Sequence, residues 1–164
     1  MGLFSTVLHL YRRSQEEVLQ ELANELGQNR GLSKFSRIPL TNDFDSLLEN
    51  EIYPKPGVYY LITDQHNNWT TIVEVNINIE QPFYLYELTN ALSKRLDTFA
   101  LSFHLHDHDV LYYHVDAHGE SLDGYNSFYQ FFLDGAASKQ EILSQRHNPR
   151  VFTAVLPGKR MSKN

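Results

Sequence analysis

The chain contains no cysteine, has no long apolar run, and carries fewer basic than acidic residues. The absence of cysteine excludes disulfide bonds, cysteine-ligated zinc, iron–sulfur clusters and thiol catalysis. No stretch approaches the ~18 consecutive apolar residues that a membrane-spanning helix needs. With 14 Lys and Arg against 20 Asp and Glu, the formal charge is −6. This charge argues against nucleic acid or a membrane as the partner, because both select a basic surface.

Motifs that mark known chemistry are missing as well. The sequence has no glycine-rich phosphate loop, no dinucleotide-binding fingerprint, no Gly-x-Ser-x-Gly elbow and no His-Glu-x-x-His helix. Ser, His and Asp residues are frequent, but no spacing singles out a catalytic triad. We therefore assign no catalytic residue and no required cofactor, and the sequence favours a protein that is not an enzyme.

Apolar and aromatic residues are abundant: hydrophobic residues make up 41% of the chain, which includes ten Phe and ten Tyr. This content is too high for a disordered chain, and 164 residues suit one domain. We predict a single domain over residues 1–157, followed by a polar, basic tail at 158–164. The start of the chain lacks the basic segment and apolar core of a secretory signal, so we expect a cytoplasmic protein.

Hydrophobic periodicity predicts an α+β fold, in which a mainly antiparallel sheet has two main helices packed on one face. Ser14 and Glu17 have the spacing of a capping box, so the first helix should begin there and stop near Gly27. Pro82 should open the second helix. The predicted strands are 4–11, 35–40, 58–63, 69–77, 99–106, 110–116 and 121–125. Short helices are expected at 43–50 and within 138–156.

Two parts of the chain resemble each other. Residues 19–26 and 85–92 are identical at five of eight positions, and the segment 59–64 resembles 112–116. Amphipathic helices share leucine and glutamate for physical reasons, so the similarity has two interpretations. It reflects either common helix chemistry or two related β-α-β-β halves.

A histidine-rich hairpin is the most distinctive segment, because five of the eight His lie between residues 104 and 118. Side chains alternate along a strand, and matching the apolar faces of the two strands requires a loop of odd length, most simply residues 107–109. His104 then lies opposite Tyr112, and the imidazoles look outward while leucines and phenylalanine fill the other face. The polar face should carry His104, His106, Tyr112 and His114.

Two interpretations of this polar face remain open. His104 and His106 would lie about 6.6 Å apart along the strand, so their nitrogens could converge on one metal ion. Zinc would be the metal, with His114 or a carboxylate as a third ligand. The other interpretation is a hydrogen-bonded polar sheet face without a metal, which the absence of a known ligand motif favours.

Aromatic residues supply the binding candidates. Phe128 follows the turn at 123–127, and it either packs on the sheet or forms part of an exposed rim for a partner. Trp69 opens a predicted hairpin strand and is a second anchor. A pocket lined by Tyr112, Tyr113 and Tyr125 is the third arrangement considered. The candidate binding residues are Trp69, Tyr112, Tyr125, Asn126 and Phe128.

The segments at 106–113 and 123–127 resemble part of a group of small bacterial proteins. Those proteins carry a His-Asp-x-Asp-Val-Leu strand followed by an Asp-x-Tyr-Asn-Ser turn, and the similarity covers residues 98–132. It implies a bacterial, cytoplasmic origin, but no catalytic residues, because the group has no established activity. It also counts against metal binding, since the position of His108 varies in that pattern.

Three functions are consistent with these residues. The favoured one is a non-enzymatic interaction or regulatory module, such as an adaptor, an inhibitor or an immunity-like protein, whose acidic charge suits a basic protein partner. The second is a metal-binding domain or metal-dependent enzyme built on the histidine face, and the third is a small-molecule binder. Pairing of an exposed edge strand with its own copy would give a homodimer.

Overall fold

The computed structural model describes residues 4–30, 57–77, 84–106, 110–127 and 149–154. Its centre is a six-stranded antiparallel sheet, accompanied by two α-helices, which confirms the predicted α+β class. The strands are β1 (Phe4–Tyr11), β2 (Gly57–Ile62), β3 (Trp69–Ile77), β4 (Phe99–His106), β5 (Val110–Ala117) and β6 (Glu120–Asn126). The helices are α1 (Gln15–Arg30) and α2 (Tyr84–Arg95), and a 3-10 helix spans Pro149–Ala154.

The strand that comes first in the chain lies inside the sheet. The strand order is β2-β3-β1-β4-β5-β6, so β1 pairs with β3 on one side and with β4 on the other. The described elements therefore run β1-α1-β2-β3 and then α2-β4-β5-β6. Residues 31–56, which include the predicted strand at 35–40, lie outside the described residues, so the two related β-α-β-β halves stay a prediction.

Helix α1 begins as its sequence predicts and ends later. The backbone N–H and hydroxyl of Ser14 both donate to Glu17 Oε2 at 2.8 Å, which is the expected capping box. The helix passes through Gly27 and continues to Arg30, so the predicted stop is wrong. Glycine inside a helix costs only ~1 kcal/mol relative to alanine. The last turns are also tied to α2, because Arg95 donates to the Gln28 side chain at 2.6 Å.

Leucines from both helices join one buried cluster with residues of the sheet. The strand members are Leu8, Leu10, Ile72 and Ala100, all at even-numbered positions. The helix members are Val18, Leu22, Leu26, Leu85, Leu88 and Leu92, and Leu96 follows α2 directly. The leucines of α2 in this cluster are therefore buried. We call the even-numbered side of the strands the helix-facing side.

The predicted register of the histidine hairpin is confirmed. His104 lies opposite Tyr112, and His106 lies opposite Val110. The expectation that the imidazoles look outward is wrong for His104, which is buried on the helix-facing side together with Ser102. Alternation fixed which residues share a side, but a buried polar group is stable where it is hydrogen-bonded, so polarity did not identify the interior.

The odd-numbered side of the sheet carries a second cluster, which we call the aromatic side. Phe99, Tyr113 and Val115 are buried there. Partly buried residues packed against them are Tyr11, Trp69, Leu101, Phe103, Ala117, Tyr125, Val151 and Phe152. The last two belong to the 3-10 helix, and the rings of Tyr113 and Phe152 are 6.0 Å apart. The hydrophobic residues of the sheet are thus divided between its two sides.

Tight turns and one irregularity shape the hairpins. Asn67 and Asn68 both have positive φ between β2 and β3, and His118 and Gly119 have positive φ between β5 and β6. Two successive residues of this kind suit a two-residue hairpin turn. The pairing of β5 with β6 shifts beside Val115.

Some predicted elements lie outside the described residues. They are the strand at 35–40, the helix at 43–50, the part of the helical segment 138–156 that spans 138–148, and the tail at 158–164.

Candidate functional site

The sheet separates the tyrosines that the sequence grouped into one pocket. Tyr112 and Tyr113 are neighbours in β5, so they lie on opposite sides of the sheet. The ring of Tyr112 lies 5.7 Å from that of His104 on the helix-facing side. The rings of Tyr113 and Tyr125 lie 5.9 Å apart on the aromatic side. The three tyrosines therefore do not line a common pocket, and Phe128 lies outside the described residues.

On the helix-facing side, His104 lies in a polar, hydrogen-bonded surrounding. Its Nδ1 and the Thr6 hydroxyl are 2.8 Å apart, and both residues are buried. Asn126 follows on β6, opposite Tyr112. Tyr112 and Asn126, both predicted as binding residues, thus share this side with His104. The two interpretations of this polar face, with and without a metal ion, both stay predictions.

A carboxylate is buried further along the same side. Asp116 is inaccessible to solvent, and the Asn90 side chain of α2 donates to its Oδ1 at 3.1 Å. The other oxygen, Oδ2, has no hydrogen-bond partner in the part of the chain that the structure describes. The Nδ1 atom of His114 is 3.5 Å from Oδ2. The carboxylate is therefore held by one neutral donor, with a half-buried imidazole beside it.

Gly124 explains how the imidazole of His114 is placed. This glycine lies opposite His114 in the pairing of β5 with β6. A Cβ at Gly124 would lie 2.8 Å from His114 Cδ2 and 3.2 Å from Nε2, so the ring occupies the space that a side chain would fill. The sequence signal for this close approach was a glycine inside a predicted strand.

The same geometry is inconsistent with a catalytic triad of Ser102, His114 and Asp116. Ser102, His114 and Asp116 share one side of the sheet, and Ser102 lies opposite His114. However, Ser102 is on β4 and Gly124 is on β6, which flank β5 from opposite directions. Because the Nε2 edge of His114 lies over Gly124, it is turned away from the Ser102 hydroxyl. The three residues therefore lack the hydrogen-bond chain that activates a serine.

The described residues do not form the predicted three-histidine metal site. Across the described ranges, no three His, Asp or Glu side chains are placed to hold a metal ion. The side chain of His106 is not among those described. A site formed by His104, His106 and His114 stays a prediction.

Trp69 is the centre of the aromatic side. Its ring lies 5.1 Å from that of Tyr11 and 6.1 Å from that of Phe99. His9 is 6.3 Å from Trp69 and 6.0 Å from Phe103, and its Nδ1 is 2.9 Å from the Thr71 hydroxyl. Burial lowers the pKa of His9, because desolvation disfavours its charged form. The histidine is thereby kept neutral among the rings.

A tyrosine–carboxylate pair lies on the aromatic side at β5 and β6. The Tyr113 hydroxyl donates to Asp123 Oδ2 at 2.8 Å. Burial, and then the neighbouring carboxylate, raise the pKa of Tyr113 well above its usual range. The phenol stays protonated at physiological pH, so it serves as a hydrogen-bond donor.

Sequence reasoning missed the contribution of helix α2 to these groups. Asn90 bonds both Asp116 and the carbonyl of Gly119, and Ser93 accepts a hydrogen bond from the Gly119 N–H at 2.9 Å. Neither residue belongs to a motif, since each acts through a contact between a helix and a distant hairpin. In the sequence, the only signal of such contacts is the presence of polar residues, Asn90 and Ser93, among the leucines of α2.

Comparison with protein-family models, with curated proteins and with solved structures gives no significant match. Of the helices described here, none is long and apolar enough to cross a membrane. The functional argument therefore depends on the geometry of the two sides of the sheet.

Proposed function

We propose that this protein is a non-enzymatic interaction module that binds a basic protein partner through the aromatic side of its sheet. The observation that carries the proposal is the set of large side chains that stay partly exposed on that side. Its members are Tyr11, Trp69, Leu101, Phe103 and Tyr125.

The position of these side chains supports a contact surface. The helices pack against the opposite side of the strands, and the hydrophobic cluster there is buried. On the aromatic side, Leu111 continues the row of apolar residues at the end of β5 and is 38% exposed. Contiguous apolar surface on a small domain is typical of a binding site. Aromatic residues are enriched at such sites because they bury a large area with few rotatable bonds.

The charge of the chain determines the kind of partner that fits. Its formal charge is −6, and Asp97, for example, has a side chain that is 83% exposed. A field of this sign accelerates encounter with a basic partner and disfavours an acidic one. An adaptor, an inhibitor or an immunity-like protein would all use such a surface.

A second copy of the chain is the competing occupant. The edge strands among the described elements are β2 and β6, and an edge can pair with another chain. The irregular pairing of β6 with β5 disfavours a regular extension of the sheet, because bulges twist an edge away. The like charge of two copies also opposes their association.

The experiment uses Trp69 as an internal reporter, because it is the only tryptophan of the chain. The protein is labelled with 5-fluorotryptophan and used to capture proteins from a lysate of the source organism at low salt. The identified partner is then purified and titrated into the labelled protein. We expect a saturable change in the fluorine resonance of Trp69 and an affinity that falls as salt is raised.

Two exposed leucines provide a matched pair of variants. Leu111 and Leu122 are 38% and 42% exposed, but Leu111 lies on the aromatic side and Leu122 lies at the irregular point of the edge strand. Leu111→Glu should abolish binding, whereas Leu122→Glu should leave it within a few-fold of wild type. The reverse ranking would place the partner on the edge, and a resonance that does not respond to any purified partner would overturn the proposal.

A further inference from the structure

We propose that the helix-facing side contains a binding site for a nitrogen cation with several N–H donors, an alkylammonium or a guanidinium. The site consists of Asn90, Ser102, His114 and Asp116, and we call it the Asp116 site. It lies on the opposite side of the sheet from the proposed docking surface, so this inference goes beyond the proposed function and does not depend on it.

The charge of Asp116 is the first reason. Its carboxylate is inaccessible to solvent, yet among the described residues it receives one hydrogen bond, from the neutral Asn90, and Oδ2 receives none. A buried carboxylate is stable when a cation or several donors compensate for its lost hydration. The nearest basic group is His114, with Nδ1 at 3.5 Å from Oδ2. A cation with N–H donors would supply both charge and hydrogen bonds.

A second, independent polar atom points to the same place. The hydroxyl of Ser102 is buried and has no hydrogen-bond partner within the described ranges of the chain. Ser102 lies directly opposite His114 and diagonally from Asp116. Diagonal residues on neighbouring strands are about 7 Å apart. A carboxylate oxygen and a hydroxyl oxygen thus accompany the imidazole on one side of the sheet. A planar guanidinium, with its five donors in a fork, can satisfy acceptors arranged in this way.

His114 provides the entrance. His114 and Asn90 are the partly exposed members of the Asp116 site, and the His114 side chain is 31% exposed. Its ring lies over Gly124, where it covers bare backbone. Asn90 keeps the carboxylate oriented from the other side.

A metal ion fits this group of residues less well. His114 and Asp116 would be its ligands, and across the described parts of the chain no third His, Asp or Glu joins them. Zinc sites in proteins have at least three protein ligands. An organic cation needs acceptors only, and the site offers them.

The test is an NMR titration of the full-length protein, labelled with carbon-13 and nitrogen-15. Methylguanidinium and methylammonium chloride are the probes, and tetramethylammonium chloride is the matched control, because it has the same charge and no N–H donor. We expect saturable shifts of the His114 ring and the Asp116 carboxyl carbon with the probes. The control should produce only the small, linear shifts that sodium chloride produces.

Two variants locate the binding. Asp116→Asn keeps an oxygen for Asn90 to bond but removes the charge, and it should abolish the saturable shifts. Asp123→Asn makes the same change on the aromatic side and should leave them unaltered. If Asp116→Asn does not fold, Ser102→Ala replaces it, and the dissociation constant should rise several-fold.

The possible outcomes separate the sources of the cation. Saturation with free methylguanidinium, without a His114 shift when the protein partner binds, indicates a small molecule. A His114 shift with the partner, lost after its basic side chains are acetylated or substituted, indicates a side chain of that partner. Equal linear shifts with all salts, shifts retained in Asp116→Asn, or a response to zinc alone would each overturn the proposal.

Discussion

The two sides of the sheet use the same six strands for different purposes. The helix-facing side buries leucines beneath two helices, and beside them it buries polar groups such as His104 and Asp116. The aromatic side has more aromatic residues, yet most of its large side chains remain partly exposed. The comparison teaches that polarity alone does not reveal which side of a strand is the interior. What distinguishes the sides is whether a second layer covers them and whether their polar atoms are hydrogen-bonded.

The largest expected effect concerns the leucines that hold the helices. Leu92 is completely buried, so Leu92→Ala should lower the free energy of unfolding by about 3 kcal/mol through lost burial and a new cavity. Phe103→Ala, on the aromatic side, should cost clearly less because Phe103 is only partly buried. Denaturant unfolding of both variants measures the contrast. An equal or greater loss in Phe103→Ala would mean that the aromatic side is the principal core.

The next effect concerns the contact between Gly124 and His114. Gly124→Ala places a methyl group 2.8 Å from His114 Cδ2, and we expect a loss of about 2 kcal/mol from overpacking. In the His114→Ala background the same substitution should cost little, because the ring that it strikes is gone. The double-mutant cycle on thermal or denaturant unfolding gives the coupling energy. A cost that persists without the ring would show that the strain lies in the backbone.

A smaller effect concerns the N-terminal cap of α1. Ser14→Ala removes the capping hydroxyl and should cost about 1 kcal/mol. Ser121→Ala, at an exposed position of β6, is the control and should change stability by a few tenths of a kcal/mol. If both variants behave alike in denaturant unfolding, the cap contributes nothing to the fold.

The smallest effect concerns pH and the aromatic side. The pKa of His9 is lowered in the folded protein, so below the ordinary value of 6.5 the unfolded chain binds more protons than the folded one. Its contribution to stability is therefore present above pH 6.5 and is lost as the pH falls through the folded pKa. His9→Gln should flatten this part of the profile of unfolding free energy against pH, which denaturant unfolding at a series of pH values measures.

Several parts of this structure could be predicted from sequence because they depend on local periodicity. The register of β4 with β5 follows from alternation and an odd loop length, and the start of α1 follows from the spacing of Ser14 and Glu17. Alternation also groups His104 with Tyr112. These features involve residues that are close in the chain or adjacent in one hairpin.

The remaining features depend on contacts between distant elements. The Glu74 side chain of β3 accepts a hydrogen bond from the Leu85 N–H at the start of α2, at 2.8 Å, and no local motif announces it. The pairing of Asn90 with Asp116 likewise joins a helix to a hairpin. Gly27 carries a local stop signal that the bond between Gln28 and Arg95 overrides. For the same reason, the sequence could not tell which side of β4 the helices would cover.

The internal position of β1 has a consequence for how the chain assembles. The strand pairs with β3, where Val7 lies opposite Val73, and with β4, where Val7 lies opposite Phe103, so both partners come much later in the chain. The hairpins β2–β3 and β4–β5–β6 can form locally, whereas β1 has to close long loops to join them. We expect insertion of β1 between these two ribbons to limit the folding rate. A chain held before that step would present two additional open strand edges, those of β3 and β4, to its neighbours, so we expect it to be prone to aggregation at this stage of folding.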